Sequence, residues 1–206
     1  MLHFLFRAPA LAVALAGVLP AFQAHAHVTL QTREAPAGGY YKAVFKVPHG
    51  CGGEPTTAIR VQIPEGVIAV KPQPKTGWQI ELEQGAYDHE YVLHGKAVRA
   101  GVRQVAWSGG SLPDEYYDEF VFQAYLAPGL QAGSSLYFPL VQECGSRSER
   151  WTAAGGQSGG GHADHGGHAS RGGQGNHGGD GGHAGHGGQG GMTDMPAPAL
   201  RLLPPR

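Results

Sequence analysis

The sequence predicts an all-β protein, a single Ig-like or cupredoxin-like antiparallel β-sandwich with a disordered C-terminal tail. Apolar and polar residues alternate in short runs such as "TAIRVQIP", where Ile59, Val61 and Ile63 share one face and Arg60 and Gln62 share the other. Turn-forming segments such as "PEG", "PKTG" and "SGGSLPD" separate the runs. No window has the period of an amphipathic helix. About seven or eight short strands joined by such turns are typical of a sandwich.

The predicted strands are alternating or aromatic-rich runs. In chain order they are "YYKAVFKVP", "TAIRVQIP", "WQIELE", "HEYVLH", "FVFQAYLAP" and "SLYFPLVQ". In "WQIELE", Trp78, Ile80 and Leu82 are predicted to face the core. "HEYVLH" is similar to the zinc-peptidase pattern HExxH, but it has one residue too many, and strand alternation puts His89 and His94 on opposite faces. We therefore reject a zinc-peptidase site.

Residues 1–26 are predicted to be a secretory signal peptide. Arg7 supplies the positive charge, and an uncharged apolar run follows from residue 8 to residue 22. That run is short for a membrane span of about 20 residues, and Pro20 interrupts it. Ala24-His25-Ala26 satisfies the small-x-small cleavage rule, so cleavage leaves His27 first. We expect an exported, periplasmic protein that does not span the membrane once the signal is removed.

Composition then divides the chain near residue 153. Residues 27–152 have the apolar content of one globular domain. Residues 153–206 are predicted to be a disordered tail, because the stretch from 154 to 191 is rich in Gly and His and cannot bury a core. The tail carries low-affinity candidate ligands for copper(I), zinc or nickel. They are His162, His165, His168, His177, His183, His186, Met192 and Met195.

Charge and cysteine content narrow the possible functions. The formal net charge is −1, which argues against a nucleic-acid partner. The chain has two cysteines, Cys51 and Cys144, and in an oxidising compartment a widely separated pair predicts one disulfide. The acidic Asp118 and Glu119 in "YYDEF" are interpreted as part of a solvated strand edge.

His27 is the principal candidate metal ligand. After cleavage its α-amine and its imidazole Nδ1 can chelate one metal ion in a small ring, a donor pair that suits Cu(II). A second candidate region is the Gly-rich loop "KVPHGCGGEPTT". If it folds toward the N-terminus, His49 or Glu54 completes the site; otherwise it is a polar loop tethered by a disulfide.

Several stretches in one order resemble the YcnI-like family of exported bacterial copper-binding proteins. They are "AHAHVTL", "KVPHGCGGEPTT", "IPEGV", "VKPQPKTGW", "WSGGSLPDEYYDEFVF", "LYFPLVQEC" and "ERW", and they cover residues 27 to about 152 but not the tail. The resemblance implies a cupredoxin-like sandwich that holds Cu(II) through the amine and imidazole of His27. It also implies a tryptophan beside the metal, which we match to Trp151, with Trp107 as the alternative and Trp78 assigned to the core.

Together these features predict a periplasmic copper-binding protein, not an enzyme, acting in copper trafficking, acquisition or tolerance. The resemblance implies a periplasmic copper chaperone or an inner-membrane copper importer as partner. Two alternatives stay open. One is a copper monooxygenase, since such enzymes also use histidine braces. The other is an interaction module that buffers zinc or nickel.

Overall fold

The computed structural model describes residues 27–155 and 194–205, and within them the protein is all-β. The strands are β1 (Thr29–Leu30), β2 (Glu34–Pro36), β3 (Tyr40–Val47), β4 (Thr56–Gln62), β5 (Val67–Pro72), β6 (Gln79–Leu93), β7 (Lys96–Leu112), β8 (Asp118–Leu126), β9 (Ser135–Tyr137), β10 (Leu140–Cys144), β11 (Arg147–Ala153), β12 (Met195–Pro196) and β13 (Ala199–Leu203). In this part of the chain no helix is long and apolar enough to cross a membrane. The predicted fold class is confirmed.

Two larger sheets form the sandwich. One has the order β1-β3-β8-β5, and the other has the order β12-β11-β10-β4-β7-β6; a smaller sheet has the order β2-β13-β9. Neighbouring strands are antiparallel except for the pairs β11–β12 and β2–β13. Aromatic side chains join the two larger sheets: the ring centroids of Trp107 on β7 and Phe120 on β8 are 5.6 Å apart, and both residues are fully buried.

The alternation in "TAIRVQIP" is confirmed, because Ile59, Val61 and Ile63 are all buried. "WQIELE" and "HEYVLH" are not two strands but the two ends of β6, whose pairing with β7 is irregular between Ala86 and Tyr91. The predicted inward position of Leu82 is wrong: its side chain is 43% exposed. β6 is an edge strand of its sheet, so its alternation does not guarantee a covering layer.

Strands β5, β7 and β11 were not among the predicted runs, and β7 shows why. The predicted turn "SGGSLPD" is strand as far as Leu112. Gly110 lies in that strand because the indole of Trp78 packs over it; a Cβ there would come 2.2 Å from Trp78 Cε2. Glycine here permits a close approach of a side chain to the backbone, whereas from sequence it reads as a turn residue.

The long β6–β7 hairpin is fastened to the rest of the sandwich through Glu65. Tyr91 Oη donates to Glu65 Oε1 at 2.7 Å, and Arg103 Nη1 donates to Glu65 Oε2 at 2.6 Å. Partial burial favours the neutral carboxyl, but these donors outweigh it and lower the pKa of Glu65. Burial, with the Glu65 hydrogen bond and charge, raises the pKa of Tyr91 to about 12.

The prediction of a disordered tail from residue 153 to residue 206 is wrong for residues 194–205. β12 pairs in parallel with β11, and β13 lies between β2 and β9. In "ALRLL", Leu200 and Leu202 are buried while Arg201 points outward, 3.7 Å from the carboxylate of Glu34. The alternation is present in the sequence, but it follows a long Gly- and His-rich segment and was assigned to the same tail. Residues 1–26, the predicted signal peptide, and residues 156–193 lie outside the described residues.

The predicted disulfide is confirmed. Cys51 and Cys144 are bonded, with their Cα atoms 5.7 Å apart. Cys144 ends β10 and Cys51 lies in the loop between β3 and β4, so the bond ties that loop to the six-stranded sheet.

Candidate metal site and family

His27 lies at an exposed edge of the sandwich, two residues before the start of β1. Its neighbour Val28 is buried, and Thr29 pairs with Lys46 of β3, so the backbone after His27 is held in the sheet while its own side chain is exposed. Two open depressions meet at His27. The larger, of about 480 Å³, is lined by His27, Val28, Thr29, Leu30, Arg33 and residues 196–199. The smaller, of about 230 Å³, is lined by His27, Thr29, Lys46, Pro48 and Tyr117.

The Trp151 ring contacts the His27 ring. The two ring centroids are 5.4 Å apart, with an edge-on interplanar angle of 63°. Trp151 is on β11 and is 1% exposed. The structure thus brings together the histidine and the tryptophan that the family resemblance paired. By contrast, both Trp107 and Trp78 pack against Phe120, which places them in the core.

The indole nitrogen Nε1 of Trp151 is buried and has no hydrogen-bond partner among the described residues. Such a group costs stability, about 1–3 kcal/mol for a typical buried donor. Trp107 Nε1 is in the same condition. An unpartnered nitrogen therefore does not distinguish the two tryptophans; the contact with His27 does.

The C-terminal segment supplies one wall of the larger depression. Residues 196–199 line it, and Met195 is the register partner of Trp151 across the β11–β12 pair. Met195 is half-buried against the core, so it belongs to the folded domain and not to a free tail. Met192 and the six tail histidines lie outside the described residues.

His49 has partners of its own. Its ring Nδ1 donates to the carbonyl oxygen of Gly50 and lies 3.9 Å from Asp114 Oδ1. Its backbone carbonyl accepts from Gln142 Nε2 at 2.8 Å and from Thr56 Oγ1 at 3.4 Å. These bonds hold the loop against the six-stranded sheet.

Glu54 is also held by neighbours in its own region. Its carboxylate accepts from the backbone N–H of Ser146 at 3.2 Å and lies 3.6 Å from Arg147 Nε. Throughout residues 27–155 and 194–205, no three or more His, Cys, Asp or Glu side chains form a metal-binding cluster. The structure therefore does not gather His27, His49 and Glu54, and the role of the latter two as ligands stays a prediction.

Tyr117 was missed by the sequence reasoning. It lines the smaller depression with His27, although "YYDEF" reads as a solvated strand edge. That interpretation is wrong for Asp118, because it begins β8, which lies between β3 and β5, and it is half-buried in an ion pair with Lys75 Nζ at 2.7 Å. One feature of the sequence could have identified Tyr117. Two adjacent tyrosines in a predicted turn are not expected to be buried, which indicates a role at the surface.

Residues 27–166 match a family described as a domain of unknown function, DUF1775. The chain belongs to the DUF1775 family. YcnI-like proteins are known by this domain, so the family resemblance seen in the sequence is confirmed at that level. The DUF1775 match begins at His27, the first residue of the predicted mature chain.

A solved structure agrees with the fold. The protein is similar to an uncharacterized protein from Nocardia farcinica, whose crystal structure is described as revealing an immunoglobulin-like fold. The match has a TM-score of 0.51 and 21% sequence identity, and it covers 86% of this chain and 98% of the other. At that identity the likeness shows the fold alone. No curated protein matches this DUF1775 chain.

Proposed function

We propose that this DUF1775 protein is an exported, periplasmic copper-binding protein that carries Cu(II) at His27 and hands it on without chemical turnover. Its work would lie in copper trafficking, acquisition or tolerance. The observation that carries the proposal is the exposed His27 ring against the buried Trp151 ring, 5.4 Å between centroids. Copper is the cargo in this proposal.

The donor chemistry of His27 suits Cu(II). Signal cleavage after Ala26 gives this residue a free α-amine beside its imidazole, and nitrogen donors bind Cu(II) more strongly than the other common divalent metals. Trp151 covers one side of the ring, and two open depressions leave other sides accessible. An accessible edge suits an ion that must be received and released.

The His-rich segment 156–193 is proposed to collect further metal, as copper(I), zinc or nickel. Its flanks support a role beside His27, because Ala153 and Pro196 are register partners and residues 196–199 line the His27 depression. A ligand-rich segment joined to the domain at these two flanks would raise the local metal concentration there. A periplasmic copper chaperone or an inner-membrane importer would be the partner.

The test compares two proteins that differ by one residue. Both lack residues 156–193, joined by a short Gly-Ser linker, and both keep residues 194–206 because β13 is part of the core. One begins at His27, and the other has a single glycine before it. The extension separates the α-amine from the imidazole.

We expect the protein that begins at His27 to bind one Cu(II), with nitrogen hyperfine structure in its EPR spectrum. The glycine extension should weaken binding on the order of 100-fold, because a two-point attachment becomes a single one. Equal affinity in the two proteins would rule out the brace. N-terminal sequencing of the exported protein supplies the control for the cleavage site.

A further inference from the structure

The loop between β7 and β8 projects two tyrosines into solvent at the edge of the His27 site. Tyr116 and Tyr117 are 65% and 66% exposed, the highest values among the large apolar and aromatic side chains of the described residues. Tyr117 lines the same depression as His27. Tyrosine is enriched in the residues that dominate protein–protein binding energy, because it offers a large amphipathic surface at a low entropic cost.

Both ends of this loop are fixed to the sandwich, so the two tyrosines are held in a defined position. Leu112 at one end and Phe120 at the other are buried. The N–H of Tyr116 donates to the carbonyl of Pro113 at 3.2 Å, which closes a turn. At the far end Lys75 pairs with Asp118 and also donates to the carbonyl of Glu119 at 3.1 Å. A held loop loses less conformational entropy when a partner binds.

The charges around the tyrosines are mainly negative, although Lys46 lines the same depression as Tyr117. The stretch "PDEYYDE" from Pro113 to Glu119 contains four carboxylates and no cationic residue. Asp118 is paired with Lys75, and Asp114 lies 3.9 Å from the His49 ring, but Glu115 is exposed and has no ion pair within the described part of the chain. An acidic rim of this kind favours a basic partner and disfavours the anionic surface of a membrane.

We propose that Tyr116, Tyr117 and the carboxylates beside them are the docking surface for the protein that exchanges copper with His27. This partner is a protein whose own copper-binding residues are surrounded by lysine and arginine. The proposal rests on the proposed function, because it takes copper exchange at His27 as the reason for docking. The docking surface itself can be measured without copper.

The probes are two synthetic copper-acceptor peptides with the same His- and Met-containing centre. One is flanked by lysines and the other by glutamates. Binding to the copper-free protein is followed by fluorescence anisotropy at low and high salt, and copper transfer from the loaded protein is followed by stopped flow. A small chelator serves as an acceptor that needs no docking.

Two variants remove the surface in different ways: the double substitution Tyr116→Ala/Tyr117→Ala and the charge reversal Glu115→Lys. Their matched controls are Tyr40→Ala, an exposed tyrosine at the other end of β3 from Lys46, and Glu81→Lys on β6. β6 is the edge of its sheet opposite β12, which lies beside the site. All five substituted positions are exposed, so thermal melting should report folded proteins.

We expect the lysine-flanked peptide to bind on the order of tenfold more tightly than the glutamate-flanked one, with the preference reduced by salt. Both loop variants should lose most of that preference and slow copper transfer to the peptide. Transfer from the Glu115→Lys protein to the chelator should stay unchanged, because Glu115 does not line the His27 depression. The surface is refuted if the peptides bind alike, or if the controls weaken binding as much as the loop variants do. A protein that docks the basic peptide but binds no copper at His27 would instead refute the proposed function.

Discussion

The His27 edge and the disulfide loop were both candidate parts of one metal site, and the structure sets them apart. At the His27 edge an exposed ring lies against a buried tryptophan, beside two open depressions. In the disulfide loop, His49 and Glu54 are each engaged by nearby residues: Gly50 and Asp114 in one case, Ser146 and Arg147 in the other.

A binding residue differs from a structural one in whether its polar atoms are already used by neighbouring residues. A polar side chain whose donors and acceptors are used by neighbours already contributes to the fold, and recruiting it to a metal would cost those bonds. An exposed ring next to open space has no such cost. On this criterion we propose His27 as the residue that binds the ion, whereas the polar side chains of the disulfide loop contribute to the fold.

The largest effect is expected from removing the disulfide. Replacing Cys51 and Cys144 by alanine opens a long loop and should destabilise the protein by about 2–5 kcal/mol in urea unfolding. Copper binding to the protein that remains folded should be unchanged, because the loop does not supply the ligands. If folded protein, judged by circular dichroism, loses copper, then the disulfide loop belongs to the site after all.

Leu200→Ala tests whether the C-terminal segment, which lines the His27 depression, is part of the folded domain. Leu200 is fully buried in β13, so its truncation should cost about 2–5 kcal/mol. Leu203→Ala, at the half-exposed end of the same strand, is the control and should cost less. If both variants lost a negligible amount of unfolding free energy in urea, residues 194–205 would not be part of the core.

Trp151→Phe and Trp107→Phe form a matched pair. Each removes a buried indole nitrogen with no hydrogen-bond partner among the described residues, so neither loss should be severe. Only Trp151 contacts His27. Cu(II) should therefore quench tryptophan fluorescence in the parent and in Trp107→Phe, and much less in Trp151→Phe. Equal quenching in both variants would move the metal away from this edge.

The smallest effects are expected in the disulfide loop itself. Glu54→Gln weakens a partly exposed ion pair and should cost about 0–1 kcal/mol. Neither Glu54→Gln nor His49→Ala should change the Cu(II) affinity more than about twofold, a difference of roughly 0.4 kcal/mol. A tenfold loss in competition titration would identify the substituted residue as a ligand and overturn the division between the two regions.

Local patterning was sufficient for much of the fold. Alternation over "TAIRVQIP" gave the buried face of β4, and turn residues and aromatic runs gave the all-β class. The same reasoning failed at β7, where Gly110 accommodates Trp78 instead of making a turn, and at Leu82, whose edge position leaves it exposed. Both errors concern contacts between residues that are distant in the sequence. A local pattern of apolar and polar residues carries no information about such contacts.

By itself the sequence determined the β class, the pairing of its two cysteines, and His27 as the candidate first residue of the mature chain. Only the tertiary structure decided that Trp151 lies against His27, that residues 195–203 return to complete the sheets, and that Tyr117 reaches the same edge. The physical reason is that side-chain alternation is a property of neighbouring residues, whereas a site is assembled by strand pairings between distant ones. Those pairings depend on the whole core.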